Sequence, residues 1–152
     1  MSVVARLEED ALRPEQELGA LLQRANGDGA VVSFTGLVRA ASKQGQIVDR
    51  LVLEFHPTMT QKSLEEIAKE AAAKFEVSHV HVVHRCGDVA AGEPIVFAGA
   101  AALHRRSAFE AADYLMDRLK TEAMFWKREV GPQGSNWIEP TEADYTDRER
   151  WS

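Results

Sequence analysis

The chain has 152 residues, of which 45% are hydrophobic and 28% are charged, and its 24 acidic and 18 basic side chains give a formal net charge of −6. These values predict one soluble globular domain that needs no disulfide or structural metal, and they disfavour broad electrostatic binding to nucleic acid. The single cysteine, the lack of any apolar run of the ~20 residues that a membrane span needs, and the lack of a secretory signal pattern predict a cytoplasmic protein without a membrane anchor.

The first half of the chain alternates between strand-like and helix-like patterns. Residues 3–7 are predicted to form a short strand, and apolar residues at helical spacing predict a helix that begins at Pro14 and ends at Asn26. Two β-branched runs, 30–39 and 47–55, follow and are separated by a polar link that contains a glycine. We expect these two runs to pair as a hairpin.

The middle of the chain continues with a helix and a second pair of strands. Thr58 and Gln61 have the spacing of a capping box, which predicts the start of an amphipathic helix. Residues 77–84 and 95–103 are predicted to be strands that pair with each other. The segment between them, 86–92, is predicted to be a loop because it contains two glycines.

The last third of the chain is predicted to contain one long helix and a closing hairpin. Helical spacing covers residues 105–121, and the runs 125–130 and 136–139 flank a turn rich in glycine. Residues 140–152 form a polar tail, which we expect to be mobile unless a partner orders it. This order of elements favours an α+β fold with a mainly antiparallel sheet and two to three packed helices.

Three histidines and the cysteine lie close together in the chain and could suggest a metal site. On an undistorted strand His79 and His81 face one side, whereas His84 and Cys86 face the other. We therefore favour ordinary histidines on the sheet surface over a zinc or copper site, and we predict no bound metal. Cys86 is interpreted as a small apolar residue rather than a nucleophile, since only His84 could activate it. The sequence also has no nucleophile elbow, P-loop, CxxC pair or HExxH helix.

The distribution of basic residues is more informative. Arg39 lies at the end of a predicted strand, residues 104–106 lie where a strand meets a helix, and Lys120 and the pair 127–128 lie near the end of that helix. Side chains at such boundaries can converge on one pocket, and the free N–H groups at a helix N-terminus favour an anion. This pattern predicts a cradle for phosphate or carboxylate, with scattered surface cations as the alternative. The same cradle would also suit a non-catalytic anion-binding or scaffold module.

Five short motifs give these basic residues a wider context. They are FTGLVR at 34–39, LEFHPTM at 53–59, HRCGDVAAGE at 84–93, HRRSAFEA at 104–111 and LKTEAMFWKRE at 119–129. In this order they closely resemble MoaE, the large catalytic subunit of molybdopterin synthase, and the likeness runs from about residue 29 to residue 137. We assign residues 1–152 to a single MoaE-like domain, with its core at about 29–139.

The resemblance implies a fold, a reaction and partners. The fold would be of the α/β hammerhead type, and the subunit would form a homodimer within a heterotetramer that includes two copies of MoaD, a small ubiquitin-like sulfur carrier. The carrier's C-terminal Gly-Gly thiocarboxylate would supply two sulfurs to cyclic pyranopterin monophosphate, which would form the dithiolene of molybdopterin. This sulfurtransferase would need no cofactor of its own, because the sulfur comes from the carrier.

The resemblance also implies individual site residues, by matching positions within the motifs. Lys120 is implied as the principal catalytic residue and Lys127 as a second one, which would also hold phosphate or the tail of the carrier. Phe34 and Met116 are implied to line the pocket. The substrate-binding positions are Leu37, Val38, Arg39, His104, Arg105, Lys120, Lys127, Arg128 and Glu129.

The chain departs from the family pattern at two positions. Met124 stands where the family usually has proline, so the long helix lacks a firm stop and can continue past Thr121. Cys86 stands where the family usually has an aliphatic residue. If the helix continued, Met116, Lys120 and Lys127 would still lie on one stripe, so the predicted site is the same for either helix end, and Lys120 is assigned its role more firmly than Lys127.

Overall fold

Two four-stranded sheets and four helices make up residues 2–152, which the computed structural model describes. The strands are β1 (Ser2–Glu8), β2 (Ala30–Leu37), β3 (Arg50–Phe55), β4 (His79–Arg85), β5 (Gly87–Ala90), β6 (Pro94–Ala102), β7 (Phe125–Gly131) and β8 (Gly134–Ile138). The helices are α1 (Pro14–Arg24), α2 (Met59–Lys74), α3 (Arg105–Glu122) and α4 (Glu142–Glu149). The predicted α+β class is confirmed, and four helices are present rather than two or three. Within this part of the chain, no helix has both the length and the apolar character needed to cross a bilayer.

The first sheet has the strand order β1-β4-β6-β2, with β1 parallel to β4 and the other neighbours antiparallel. Helices α2 and α3 cover one face and α1 covers the other, so the central strands β4 and β6 are buried on both sides. Gly99 of β6 allows α1 to pack closely, because a Cβ there would lie 2.7 Å from Leu21 Cδ2. The predicted pairing of 77–84 with 95–103 is confirmed.

The second sheet is antiparallel throughout and has the order β5-β3-β7-β8. Its small core consists of Val38, Leu51, Leu53 and Val89. Phe125, at the start of β7, packs against this core and also against the larger core under α2 and α3. This side chain therefore joins the two sheets at the place where the ends of β4 and α3 also lie.

Two strand predictions are wrong. The runs 30–39 and 47–55 do not form a hairpin, because β2 pairs with β6 in the first sheet and β3 pairs with β7 in the second. One bridge, Ala41 to Ile47, closes the link between them. The segment predicted as the loop 86–92 contains β5, which pairs with β3. In both cases the strand pairs with a segment distant in the sequence, and a turn signal that reflects only neighbouring residues cannot indicate such a pairing.

The start of α2 differs from the prediction. Thr58 is the N-cap residue, but its side chain makes no capping bond, so the predicted capping box is wrong. Instead, Nδ1 of His56 accepts the backbone N–H groups of Thr58 and Met59, at 3.2 and 3.1 Å. The side chain of Gln61 leaves the helix and bonds the backbone of β1 through Ala5 O and Leu7 N, at 2.7 and 3.1 Å.

Helix α3 ends at Glu122 although no proline stops it. The N–H of Met124, which a proline would lack, donates to Ser63 Oγ at 3.2 Å. The hydroxyl of Thr60 donates to the Met124 carbonyl oxygen at 2.6 Å. These two bonds from α2 fix the chain in an extended conformation after Ala123, so β7 begins at Phe125.

The C-terminal segment, predicted to be mobile, is ordered as α4. Thr141 and Asp144 form a capping box, with the Asp144 carboxylate accepting the Thr141 N–H at 2.8 Å. Beyond the helix, the ring of Trp151 makes edge-to-face contacts with Phe75 and Tyr114, and its Nε1–H donates to Asp117 at 2.7 Å. The prediction was wrong because it rested on the polar composition of the whole segment, whereas the contacts of one aromatic residue, Trp151, hold the segment against the core.

Replacing Trp151 with alanine is expected to lower the free energy of unfolding by about 2 kcal/mol, since a half-buried aromatic ring and its hydrogen bond to Asp117 are lost. Thermal denaturation should then show a midpoint roughly 4–8 °C lower. The matched control is Trp126→Ala, because Trp126 is exposed on β7. Equal midpoints for the two variants would show that the anchor contributes nothing.

Candidate active site

Two adjoining hollows lie where the link after β2, the end of α3 and the hairpin β7–β8 meet. We call them the polar hollow, of about 430 Å³, and the apolar hollow, of about 340 Å³. Both are lined by Arg39, Lys120, Lys127, Glu129 and Ile138, which form the wall between them. Three basic residues from three different segments of the chain therefore share one site.

The fold explains how these basic side chains meet. Arg39 follows β2, Lys120 lies in the last turn of α3, and Lys127 is the third residue of β7. Lys127 pairs with Leu53 of β3 on one side and with Ile138 of β8 on the other. Because side chains alternate along a strand, Lys127 and Glu129 face the hollows together.

The polar hollow is completed by residues that sequence reasoning did not assign to the site. Lys43 comes from the link between β2 and β3, and Trp137 from β8. Thr141, Asp144 and Tyr145 come from the first turn of α4 and the residue before it. The helix α4 therefore lines the polar hollow but not the apolar hollow.

The apolar hollow contains several residues that the resemblance implies. Phe34, Leu37, Val38 and Met116 all line it, beside Lys120 and Lys127. Apolar side chains from β3, β6 and α3 complete the lining: Leu51, Ile95, Val96 and Leu119. The charged wall therefore faces a mainly apolar surface, where electrostatic interactions are stronger than in open water.

Three other implied residues lie elsewhere in this chain. Arg105 lines a third hollow, of about 580 Å³, which shares only Phe34 and Met116 with the apolar hollow. His104 is exposed and lines none of these three hollows. Arg128 lies on the opposite face of β7 from Lys127, where its Nε is 3.7 Å from a Glu54 carboxylate oxygen.

The surroundings of Lys127 in the wall change its pKa. Burial, and then the neighbouring charge of Lys120, lower its pKa from 10.5 to about 8, and the Asp144 carboxylate acts in the opposite direction. Burial disfavours the charged ammonium, and a nearby like charge adds to that effect. Lys127 thus changes its charge close to physiological pH.

His84 forms part of the floor of the apolar hollow and was not assigned to the site from the sequence. Its ring stacks on Phe125, with centroids 4.3 Å apart, and its Nδ1 lies 2.8 Å from the carbonyl oxygen of Arg85. Burial, followed by the charge of Lys127, lowers the pKa of His84 to about 3. The imidazole is therefore neutral at physiological pH.

The prediction of surface histidines is wrong for His81 and His84, because β4 is covered on both faces and both side chains are buried. His81 faces α1, where its Nε2 lies 2.9 Å from a Glu17 carboxylate oxygen and its Nδ1 lies 3.1 Å from Arg24. These contacts belong to a network far from the lysines. Among residues 2–152, no group of three or more histidine, cysteine, aspartate or glutamate side chains is arranged to hold a metal ion.

Cys86 is buried, and burial, followed by the charge of Glu9, raises the pKa of its thiol. It lines none of the three hollows. We expect Cys86→Ser to retain full turnover per folded molecule while losing about 1–3 kcal/mol of stability, since a buried hydroxyl replaces an apolar thiol. Steady-state assays and denaturant titration of Cys86→Ser and Cys86→Ala would test this. Loss of turnover in both variants, with the fold intact, would assign the thiol to the reaction.

The amino-acid sequence is similar to those of known proteins. A family model described as MoaE protein matches residues 7–122. The molybdopterin synthase catalytic subunit of Caulobacter vibrioides is 44% identical over 149 residues, which cover 98% of this chain and 97% of that protein.

Solved structures show the same fold. The molybdopterin biosynthesis MoaE protein from Burkholderia ambifaria superposes with a TM-score of 0.82 at 36% identity, covering 99% of this chain and 98% of that one. A chain from the complex of subunits 1 and 2 of molybdopterin-converting factor from Helicobacter pylori superposes with a TM-score of 0.71. That chain is 20% identical, with coverage of 92% of this chain and 90% of that one, so it shows the fold alone.

Proposed function

Because the chain belongs to the MoaE family, we propose that it is the catalytic subunit of molybdopterin synthase, a sulfurtransferase of molybdenum cofactor biosynthesis. It transfers two sulfurs from the thiocarboxylated C-terminus of a MoaD-type carrier to cyclic pyranopterin monophosphate. The product carries the dithiolene of molybdopterin. The alternative of a non-catalytic scaffold module has no observation in its favour, since the relatives are named catalytic subunits.

The convergence of Arg39, Lys120 and Lys127 on two adjoining hollows carries this proposal. The thiocarboxylate and the phosphorylated pterin are both anions, and each repels the other. Fixed positive charges between them offset that repulsion, and they do so most effectively where water is partly excluded. Two hollows that share one charged wall can hold both reactants at the same time.

Partners follow from the same proposal. The MoaD-type carrier is the source of sulfur, so the protein needs no cofactor of its own. A chain with the same fold from Helicobacter pylori has been solved in a complex of subunits 1 and 2 of molybdopterin-converting factor. Two exposed apolar side chains that line the third hollow, Phe34 and Phe109, support a homodimer within the heterotetramer. The reaction is assigned to the cytoplasm.

The roles of the basic residues follow from their positions. The carrier sulfur forms a bond to a substrate carbon while the carbon–oxygen bond at that carbon breaks, and the oxygen leaves with the electron pair and takes up a proton. Water then attacks the acyl carbon, and the acyl–sulfur bond breaks as the carrier leaves as a carboxylate. Lys120, exposed at the end of α3, is placed to transfer protons in this hydrolysis and is the proposed catalytic residue. Lys127 and Arg39 hold the anionic groups of the reactants.

Reconstitution tests this function. The purified chain is mixed with a thiocarboxylated carrier and cyclic pyranopterin monophosphate, and dithiolene formation is measured by mass spectrometry. A carrier that ends in an ordinary carboxylate is the control, because it can bind but has no sulfur to transfer. Product formation that needs the thiocarboxylate supports the proposal, and the absence of product from a folded, carrier-bound chain contradicts it.

A further inference from the structure

The ring of His84 is held in one orientation and one tautomer. A carbonyl oxygen can only accept a hydrogen bond, so the contact between Nδ1 and the Arg85 carbonyl oxygen places the ring proton on Nδ1. Stacking on Phe125 fixes the plane of the ring. The other nitrogen, Nε2, is therefore an acceptor with an open lone pair.

The side chain that carries this lone pair lines the apolar hollow. His84 lines the hollow together with both lysines of the wall, and within residues 2–152 its Nε2 makes no hydrogen bond. The ammonium groups of Lys120 and Lys127 supply strong donors on the same hollow. A neutral acceptor thus lies beneath a group of cations.

Lys127 is the better match for this acceptor. Its charge is the largest electrostatic influence on the pKa of His84, ahead of that of Lys120, and Lys127 lies two residues after the ring that stacks on His84. Its side chain has four rotatable bonds, so the ammonium can reach a neighbouring acceptor without movement of the backbone. Arg39 and Glu129 are the other charged residues that line this hollow.

We propose that His84 is a positioning residue for Lys127: the lysine side chain turns so that its ammonium donates a hydrogen bond to the unprotonated Nε2 of His84, which then holds that cation toward the reactants. The consequence for turnover rests on the proposed function, whereas the hydrogen bond itself does not. With a pKa of about 3, His84 stays neutral as the pH falls below about 6.5, where an ordinary histidine would become protonated and repel Lys127. The proton therefore remains on the lysine, and His84 acts as acceptor only.

The test is a direct titration of Lys127. The full chain is reductively methylated with ¹³C, the Lys127 resonance is assigned from its absence in Lys127→Arg, and its pKa is followed by NMR. His84→Phe keeps the stacked ring but removes the acceptor, so we expect the pKa of Lys127 to fall by about one unit. His84→Gln restores an acceptor and should bring the value back toward that of the wild type. His81→Gln, on the other face of the same strand, is the matched control and should leave it unchanged.

A second readout follows activity. The pH at which kcat/KM falls on the alkaline side should move down with the Lys127 pKa in His84→Phe and return in His84→Gln. An unchanged Lys127 pKa in folded His84→Phe overturns the proposal, as does a loss of activity without that shift. If His84→Phe does not fold, a folded His84→Leu takes its place as the variant without an acceptor. The proposal is then overturned if the Lys127 pKa in His84→Gln differs from the wild-type value as much as it does in His84→Leu. Since the NMR titration requires no turnover, an inactive wild-type chain would contradict the proposed function and leave this test intact.

Discussion

Replacing Lys120 with alanine is expected to lower the turnover of the complex with the carrier by about 10²- to 10⁴-fold, while the affinity for the carrier stays the same. Lys120 is exposed at the end of α3 and lines both hollows, so its removal takes a proton-transferring group from the reacting atoms without disturbing the core. Single-turnover dithiolene formation measures the first quantity, and calorimetric titration with the carrier measures the second.

The control for lost charge is Lys69→Ala, since Lys69 is an exposed residue of α2 that lines none of the hollows. It should keep wild-type turnover. If Lys120→Ala instead weakened carrier binding and left single-turnover rates at saturation unchanged, Lys120 would be a binding residue. Such an outcome would favour an anion-binding role for the whole wall.

The second large effect concerns Lys127 and pH. Lys127 is cationic below its pKa of about 8 and neutral above it, so kcat/KM should fall as the pH rises through about 8. In Lys127→Arg this alkaline decline should disappear, because a guanidinium keeps its charge in this range. In Lys127→Met, kcat/KM at pH 7 should be about 10- to 100-fold lower, since a charge-assisted hydrogen bond to an anion is lost.

These values come from pH profiles of dithiolene formation for the three proteins, with protein folding followed by circular dichroism across the same range. A decline near pH 8 that persists in Lys127→Arg would assign the titration to another group. Full activity of Lys127→Met at pH 7 would remove Lys127 from the site altogether.

Elements with strong local periodicity could be predicted from the sequence. The apolar strands β4 and β6, the helix α3 and the hairpin β7–β8 were found close to their predicted positions. Pairings between distant segments could not be predicted, because the glycine-containing link between β2 and β3 resembles a hairpin turn although it crosses between sheets. The order of α4 was missed although Thr141 and Asp144 have capping-box spacing, since its stability depends on the remote contact of Trp151 with Phe75.

Part of the candidate site could also be predicted. The positions of Arg39, Lys120 and Lys127 at element boundaries indicated a shared pocket, and the structure brings all three together. His84 could not be assigned to the site as long as all the histidines of β4 were interpreted together as residues of the sheet surface. A signal was present, since Val80, Val82 and His84 alternate along β4 and so share the face of that strand on which the core under α2 and α3 lies. Asp144 could not be predicted as part of the site, because only the packing of α4 places it on the polar hollow.

The anchoring of α4 links the shape of the polar hollow to a contact made outside it. Trp151 lines neither the polar nor the apolar hollow, yet its contacts with Phe75 and Tyr114 help to fix a helix whose first turn lines the polar hollow. A substitution at Trp151 would therefore loosen the side of the hollow formed by Asp144 and Tyr145, so a change remote from the lysines would reach ligand binding through the helix.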